Sequence, residues 1–207
     1  MTPKTAERDT IVGPAGPLEI VRNIPEGVPV GIALVAHPHP LQGGTLDNKV
    51  VQTLARTFFA LGYVAIRFNF RGVGASAGTF DDGIGETLDA LAALADARQR
   101  FGADLPIVLA GFSFGSFVQT RVARTVAAQR IVLVGPAVGR FAVETVPADT
   151  IVIHGEQDDV VHLADVFAWA RPQELPIIVF PGCGHFFHGR LTQLQRVITG
   201  MWQRDGL

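Results

Sequence analysis

The chain has 207 residues, 48% of them hydrophobic and 17% charged, with a formal net charge of −2 at pH 7. This composition excludes an intrinsically disordered protein, which carries many charges and few large apolar side chains. The near-neutral charge, with no cluster of five or more basic residues, predicts neither a nucleic-acid partner nor binding to anionic membranes. The length predicts a single domain over residues 1–207.

Cysteine usage and the length of the apolar runs indicate the compartment. Cys183 is the one cysteine in the chain, which predicts no internal disulfide and no cysteine-rich metal site. The first ten residues carry charges of both signs and precede no long apolar run, so no signal peptide is predicted. The apolar runs fall well short of the roughly 20 residues that a membrane span needs. We therefore expect a soluble, cytoplasmic protein.

Short apolar runs alternate with helically spaced segments along most of the chain. A turn at residues 14–17 predicts a hairpin, with its second strand over residues 18–23. Buried strands are then predicted to start at Gly31, Tyr63, Pro106, Ile131, Thr150 and Pro176. Helices are predicted over residues 46–61, 86–101, 114–128, 162–169 and 191–202.

This alternation predicts an α/β fold. Continuous β-branched runs are typical of strands buried on both faces, as in a mostly parallel, doubly wound sheet with helices on both sides. Ligands of such sheets bind beyond the carboxyl ends of the strands. The segments that follow each strand are therefore the candidate functional segments.

The segment after the strand at Pro106 carries the strongest motif. Gly111-Phe112-Ser113-Phe114-Gly115 lies directly between a predicted strand and a predicted helix. This placement of G-x-S-x-G is typical of a nucleophile elbow, a sharp turn that exposes the serine above the sheet. The glycines are expected where strand and helix crowd each other. The alternative is a glycine-rich turn in which the serine only caps the helix.

An acid and a histidine follow later strands. Asp158 comes after the strand at Thr150, and His185 after the strand at Pro176. The order Ser, Asp, His is that of a hydrolase triad, in which imidazole takes the serine proton and the carboxylate orients the imidazole. Asp159 is the alternative acid. His188, expected at the start of the last helix, is the alternative base.

Acyl transfer also needs two donors for the oxyanion. One is the amide after the nucleophile, here Phe114, and the other comes from the loop after the early strand. Pro38 and Pro40 have no N–H, so the second donor is expected at His39, with Leu41 or a later residue as the alternative.

His37 and His39 could alternatively form a metal pair. No carboxylate or further histidine stands close to them in the sequence, so no metal site and no cofactor are predicted.

The motifs AHPHPLQGGTLDNKVV, RFNFRGVGASAGTFDDGIGE, GFSFGS, HGEQDDVV and GHFFHGR together resemble the α/β-hydrolase superfamily. The likeness is to small bacterial serine esterases related to dienelactone hydrolases, and it runs from about residue 31 to residue 191. It implies Ser113, Asp158 and His185 as the triad and favours Asp158 over Asp159. Dienelactone hydrolases proper have cysteine at the elbow and some esterases have an HGGG motif, whereas this chain has Ser113 and HPHP.

Two other segments bear on function. The turn at residues 71–74 is expected to be structural, with its glycines making a tight turn and Arg71 paired to a nearby carboxylate. Only residues 136–149 separate two strands at the position where related enzymes insert a lid, so no lid domain is expected. Phe112, Phe114, Phe117, Phe186 and Phe187 are expected in the core or the pocket wall.

These observations favour a serine hydrolase that cleaves small or accessible carboxylic esters through an acyl-enzyme. The alternatives are a thioesterase, an amidase or peptidase with the same triad, and a non-catalytic binding protein on this fold. The expected partner is a small-molecule ester, and the sequence does not specify an oligomeric state.

Overall fold

The structure, a computed structural model, describes residues 6–203, so both ends of the predicted 1–207 domain lie outside the described part. The strands are β1 (Glu7–Gly13), β2 (Gly16–Asn23), β3 (Gly31–Ala36), β4 (Tyr63–Phe68), β5 (Ile107–Phe112), β6 (Arg130–Val134), β7 (Ile151–Gly155) and β8 (Ile177–Phe180). The helices are α1 (Lys49–Ala60), α2 (Ile84–Phe101), α3 (Phe114–Val122), α4 (Leu163–Ala170) and α5 (Leu191–Gln203).

All eight strands form one sheet in the order β1-β2-β4-β3-β5-β6-β7-β8. The hairpin β1–β2 is antiparallel and β2 also runs antiparallel to β4, whereas every pair from β4 to β8 is parallel. The predicted mostly parallel α/β sheet is therefore confirmed. Its parallel strands all end at one edge, which brings together the loops that follow β3, β5, β7 and β8.

The sheet has a hydrophobic core on each face, because successive side chains of a strand point to opposite sides. In β3, Ile32 and Leu34 belong to one core and Ala33 and Val35 to the other. Helices α2 and α3 contribute to the first core, and α1 and α5 to the second. This is the predicted arrangement of helices on both faces.

Local hydrogen bonds set helix ends that differ from the predicted ones. Helix α1 starts at Lys49 rather than at residue 46, because the side chain of Asn48 accepts the amides of Val50 and Val51 and caps the helix there. Helix α3 ends at Val122 rather than at residue 128. Beyond it the Arg124 and Thr125 amides bond to carbonyls three residues back, and the Val122 carbonyl is shared by the Thr125 amide, the Thr125 hydroxyl and the Val126 amide, so the chain tightens into a turn.

The connection from β6 to β7, residues 135–150, contains no helix. Phe141 in this connection packs on the rings of Phe114 and Phe117, with centroids 5.0 Å apart in each pair. The segment therefore packs against the start of α3, and the prediction that no lid domain is inserted here is confirmed.

Arg71 has the predicted carboxylate partner. Its Nε and Nη2 donate to the two carboxylate oxygens of Asp89 on α2, at 3.0 and 2.9 Å. This bidentate pair ties the turn after β4 to α2, which is the structural role that the sequence predicted for residues 71–74. In the part of the chain that the structure describes, no helix is long and apolar enough to cross a bilayer.

Candidate active site

Ser113 occupies a strained turn between β5 and α3. Its backbone has φ 55° and ψ −118°, a conformation that costs a non-glycine residue roughly 1–3 kcal/mol and is kept only where neighbours enforce it. The Ser113 amide donates to the Val134 carbonyl at 2.9 Å. A Cβ on Gly111 would lie 2.4 Å from the Gly115 carbonyl oxygen, and one on Gly115 only 2.3 Å from that of Ala36. A side chain at either position would therefore clash with the backbone, which is the crowding of strand and helix that the sequence predicted.

The three predicted triad side chains lie in one hydrogen-bonded chain. The Oγ of Ser113 is 3.0 Å from Nε2 of His185, and Nδ1 of His185 is 2.6 Å from Oδ2 of Asp158. All three residues are buried, at 7%, 4% and 4% exposure. The other carboxylate oxygen of Asp158 accepts the amides of Val160 and Val161 at 2.9 and 2.8 Å. Both oxygens of this acid are thus held in place.

These contacts fix the proton positions on His185. A carboxylate can only accept, so the proton lies on Nδ1 and the lone pair of Nε2 faces the serine hydroxyl. Burial on its own would raise the pKa of Asp158, but the hydrogen bond from His185 and the amide of Val161 outweigh it and lower that pKa. Asp158 therefore stays ionised beside the imidazole, which suits a histidine that accepts the serine proton.

The two alternatives from the sequence lie outside this chain of contacts. Asp159 is exposed, and among the described contacts the carboxylate that reaches His185 is that of Asp158. His188 is also exposed and lies in the turn before α5, where its ring contacts Phe186 at 5.9 Å. Its expected place at the start of the last helix is wrong, because that helix begins at Leu191.

Sequence reasoning missed a second histidine beside the acid. His154 on β7 is fully buried, and its Nε2 lies 2.9 Å from the Val161 carbonyl and 3.4 Å from Oδ2 of Asp158. Its Nδ1 is buried without a hydrogen-bond partner among the described residues. Burial lowers the pKa of His154, so the ring is neutral and donates from Nε2. The residue lay inside an apolar strand run, and no sequence signal separated it from the core.

His37, the first histidine of the HPHP loop, is also a neutral buried ring. The Phe70 amide donates to its Nε2 at 3.0 Å, so the proton lies on Nδ1, which donates to the Pro38 carbonyl at 2.6 Å. Burial lowers the pKa of His37 to about 3. The ring therefore ties the loop after β3 to the chain just beyond β4.

This bond orients the peptide that carries the predicted oxyanion donor. The Pro38 carbonyl and the His39 amide belong to one trans peptide, in which C=O and N–H point in opposite directions. With the carbonyl held by His37, the His39 N–H faces away from that ring. Leu41, the alternative donor, gives its amide to Nδ1 of His39 at 3.2 Å. Of the two, the His39 amide is therefore the one without a partner among the described residues.

The other predicted donor, the amide of Phe114, belongs to the first residue of α3. The first N–H groups of a helix have no acceptor within it and carry partial positive charge. The roles of Phe114 and His39 at an oxyanion stay predictions.

Neither His37 nor His39 lies in a cluster that could hold a metal: within residues 6–203 no three His, Cys, Asp or Glu side chains form one.

A small cavity of about 80 Å³ opens at this point. Ser113, His185 and Phe186 line it together with the loop after β3, from Pro38 to Gly44, and none of its lining residues is Asp or Glu. Phe112, Phe114, Phe117 and Phe187 are buried in the core, whereas Phe186 is 45% exposed and forms part of the cavity wall.

The fold and this site define a lidless α/β serine hydrolase, and comparisons with known proteins agree. Residues 41–147 match the family described as serine aminopeptidase, S33. An uncharacterized protein of Rickettsia prowazekii is 34% identical over 191 residues, which covers 81% of this chain and 76% of that protein.

Solved structures give the same assignment. An α/β serine hydrolase homologue from Coxiella burnetii is 38% identical, with 95% of this chain and 97% of that one covered and a TM-score of 0.87. A serine hydrolase without a lid from Xanthomonas campestris is 36% identical, with coverage of 99% and 96% and a TM-score of 0.90. The chain belongs to the S33 serine hydrolase family of the α/β-hydrolase superfamily.

Proposed function

We propose that this protein hydrolyses small or readily accessible carboxylic esters through an acyl-enzyme. The observation that carries the proposal is the continuous chain of contacts from the Ser113 hydroxyl through His185 to the Asp158 carboxylate, at 3.0 and 2.6 Å. A serine hydroxyl is a weak nucleophile until an adjacent base takes its proton. Here His185 lies within hydrogen-bond distance of both the Ser113 hydroxyl and the Asp158 carboxylate, and the carboxylate sets the tautomer of the ring.

In the first half-reaction, Oγ of Ser113 forms a bond to the ester carbonyl carbon while its proton passes to Nε2 of His185. The tetrahedral intermediate then breaks its bond to the alcohol oxygen, which leaves with that proton as the free alcohol. In the second half, water gives a proton to His185 and attacks the acyl carbon. The acid is released, and the proton returns to Ser113. Asp158 stays ionised and stabilises the imidazolium formed in each half.

The carbonyl oxygen becomes negative in both tetrahedral intermediates. In the proposal it lies between the amides of Phe114 and His39. The supporting observations are the free helix-terminal amide of Phe114 and the peptide orientation set by His37. Preorganised donors of this kind contribute roughly 2.7–4 kcal/mol each to transition-state stabilisation.

The cavity supports an ester over an aminopeptidase substrate. An aminopeptidase must hold the ammonium group of its substrate next to the scissile bond, and an unpaired buried ammonium is costly without a carboxylate. No Asp or Glu lines the described cavity. Thioesters would use the same apparatus. A scaffold protein would not need three matched groups after three separate strands, which argues against the binding-protein alternative.

The test is steady-state hydrolysis of p-nitrophenyl acetate, of a matched acetyl thioester and of alanine p-nitroanilide. The wild-type protein should hydrolyse the ester with at least tenfold higher kcat/KM than the anilide, and Ser113→Ala should abolish the activity. Arg196→Met, an exposed change on α5, is the matched control and should match wild type. Preference for the anilide would overturn the ester assignment, and full activity of Ser113→Ala would overturn the mechanism.

A further inference from the structure

A second cavity lies directly beside the one that holds Ser113. It measures about 250 Å³ and is formed by the start of α1 and the turn before α5. At about 30 Å³ per water in the liquid, it has room for about eight waters, or for a short carbon chain. We call it the distal cavity.

Two residues line both cavities. Asn48, the capping residue of α1, and Phe186 belong to the wall of each. The Phe186 ring is 45% exposed and lies between His185, at 5.1 Å, and His188, at 5.9 Å. A group attached to an ester at Ser113 therefore reaches the distal cavity by passing Phe186 and Asn48.

The lining of the distal cavity combines apolar and basic side chains. Leu191 and Phe186 supply its accessible apolar surface, with the buried Val50 also in its wall, and Lys49 and His188 are its exposed basic groups. No Asp or Glu lines it. An apolar chain gains free energy from leaving water in such a space.

Lys49 differs from Arg8 and Arg67 in its ion pairs. Both arginines pair with Asp47, two residues before Lys49, so that carboxylate is already engaged. Among the described residues, Lys49 has no ion-pair partner of its own. Its exposed side chain, which belongs to the lining of the distal cavity, is therefore available to pair with a bound anion.

We propose that the distal cavity binds an arm of the substrate, and that this arm is a short apolar chain ending in a carboxylate. The inference rests on the proposed ester hydrolysis and specifies its substrate class. The chain lies against Leu191 and Phe186, and its terminal carboxylate pairs with Lys49. The arm belongs to the acyl part or to the alcohol part of the ester, and the experiment separates the two.

The experiment compares esters that differ only at the end of the arm. In the acyl series these are p-nitrophenyl hexanoate and mono-p-nitrophenyl adipate. In the alcohol series they are hexyl acetate and 6-acetoxyhexanoate, whose hydrolysis is measured by the release of acid. At low salt, the carboxylate-ended ester of one series should have about two- to fivefold higher kcat/KM, as for an exposed ion pair. The preference should fall with added salt and vanish in Lys49→Met.

Two variants complete the test. Arg196→Met removes one exposed positive charge outside the cavity and should keep the carboxylate preference. Leu191→Trp fills the cavity and should lower the rate for arm-bearing esters, relative to p-nitrophenyl acetate, by at least tenfold. Because Lys49 is exposed, its replacement tests the proposal even where Leu191→Trp does not fold.

Each outcome decides the question. Equal rates for both members of both series, or equal losses of preference in Lys49→Met and Arg196→Met, would overturn the distal-cavity proposal. In that case hydrolysis of p-nitrophenyl acetate would leave the ester assignment intact. Failure of wild type on every ester would overturn both.

Discussion

Two buried histidines at the same edge of the sheet differ in what they can do. His37 and His185 both follow a strand, are 0% and 4% exposed, and pack against a phenylalanine ring, with centroids 4.4 and 4.9 Å apart. Both nitrogens of His37 bond to backbone groups. The nitrogens of His185 contact two side chains instead, the ionised carboxylate of Asp158 and the hydroxyl of Ser113. Their partners, not their burial, separate a structural ring from a base.

The comparison also explains why the two rings cannot replace each other. The Phe70 amide occupies the lone pair of His37, and burial lowers the pKa of that ring to about 3. His185 instead has an ionised carboxylate on Nδ1 and a hydroxyl on Nε2. One ring holds the proposed oxyanion loop, and the other moves the proton in the proposed mechanism.

Replacing His185 should have the largest effect on the rate. His185→Ala leaves Ser113 without a proton acceptor, so we expect kcat for p-nitrophenyl acetate to fall by about 10⁶-fold, as for triad members that act as a unit. Unfolding curves should show that the variant is folded. A loss of less than tenfold would show that another group, such as His188, serves as the base.

The acid should have the next largest effect. In Asp158→Asn the amide no longer enforces the proton on Nδ1 of His185, and kcat should fall by about 10⁴-fold. Asp159→Asn is the matched control, because that side chain is exposed, and it should change kcat by less than about threefold. The reverse pattern would assign the acid to Asp159.

His37 should affect catalysis only through the orientation of the peptide between Pro38 and His39. His37→Leu removes the donor to the Pro38 carbonyl and should lower kcat by about 10²–10³-fold, the loss expected for one oxyanion donor, with a much smaller change in KM. His37→Asn keeps a donor near the position of Nδ1, so its kcat should be at least tenfold higher than that of His37→Leu. Equal kcat in both variants, each shown to be folded, would refute the orienting role.

The low pKa of His37 also predicts how stability depends on pH. Its folded pKa of about 3 lies below the unfolded value of 6.5, so the unfolded chain binds the extra proton between these limits. The free energy of unfolding should therefore fall with decreasing pH, by about 1.4 kcal/mol per unit from this residue alone. Denaturant titrations between pH 5 and 4 should show a slope that is smaller by this amount in His37→Asn.

The exposed Gln193 on α5 supplies the control for this slope. Gln193→Ala removes no titratable group and should retain the wild-type slope. If His37→Asn and wild type have the same slope, the ring of His37 is protonated in the folded protein and its assigned tautomer is wrong.

The sequence predicted the parts of the site that depend on local pattern. Ser113 stands between a strand and a helix within five residues, and Asp158 and His185 each follow a strand directly. Strand order then brings these ends together, because β5 to β8 are parallel neighbours.

The parts that depend on contacts between distant segments could not be predicted. The bond from Phe70 to His37 spans 33 residues and exists because β3 and β4 are adjacent. The contact of His154 with Asp158 needs the turn that folds Val160 and Val161 back onto the acid. The start of α1 is a different case, since Asn48 is a capping residue that the sequence displays.

Labelling with a fluorophosphonate, followed by mass spectrometry of the digested protein, tests directly whether Ser113 is an activated nucleophile. A fluorophosphonate reacts with a serine only where a base activates it. The wild-type protein should carry one adduct, on the peptide with Ser113, and both Ser113→Ala and His185→Ala should remain unlabelled. Folded wild-type protein without an adduct, or with the adduct on Ser76 or Ser116, would contradict the account.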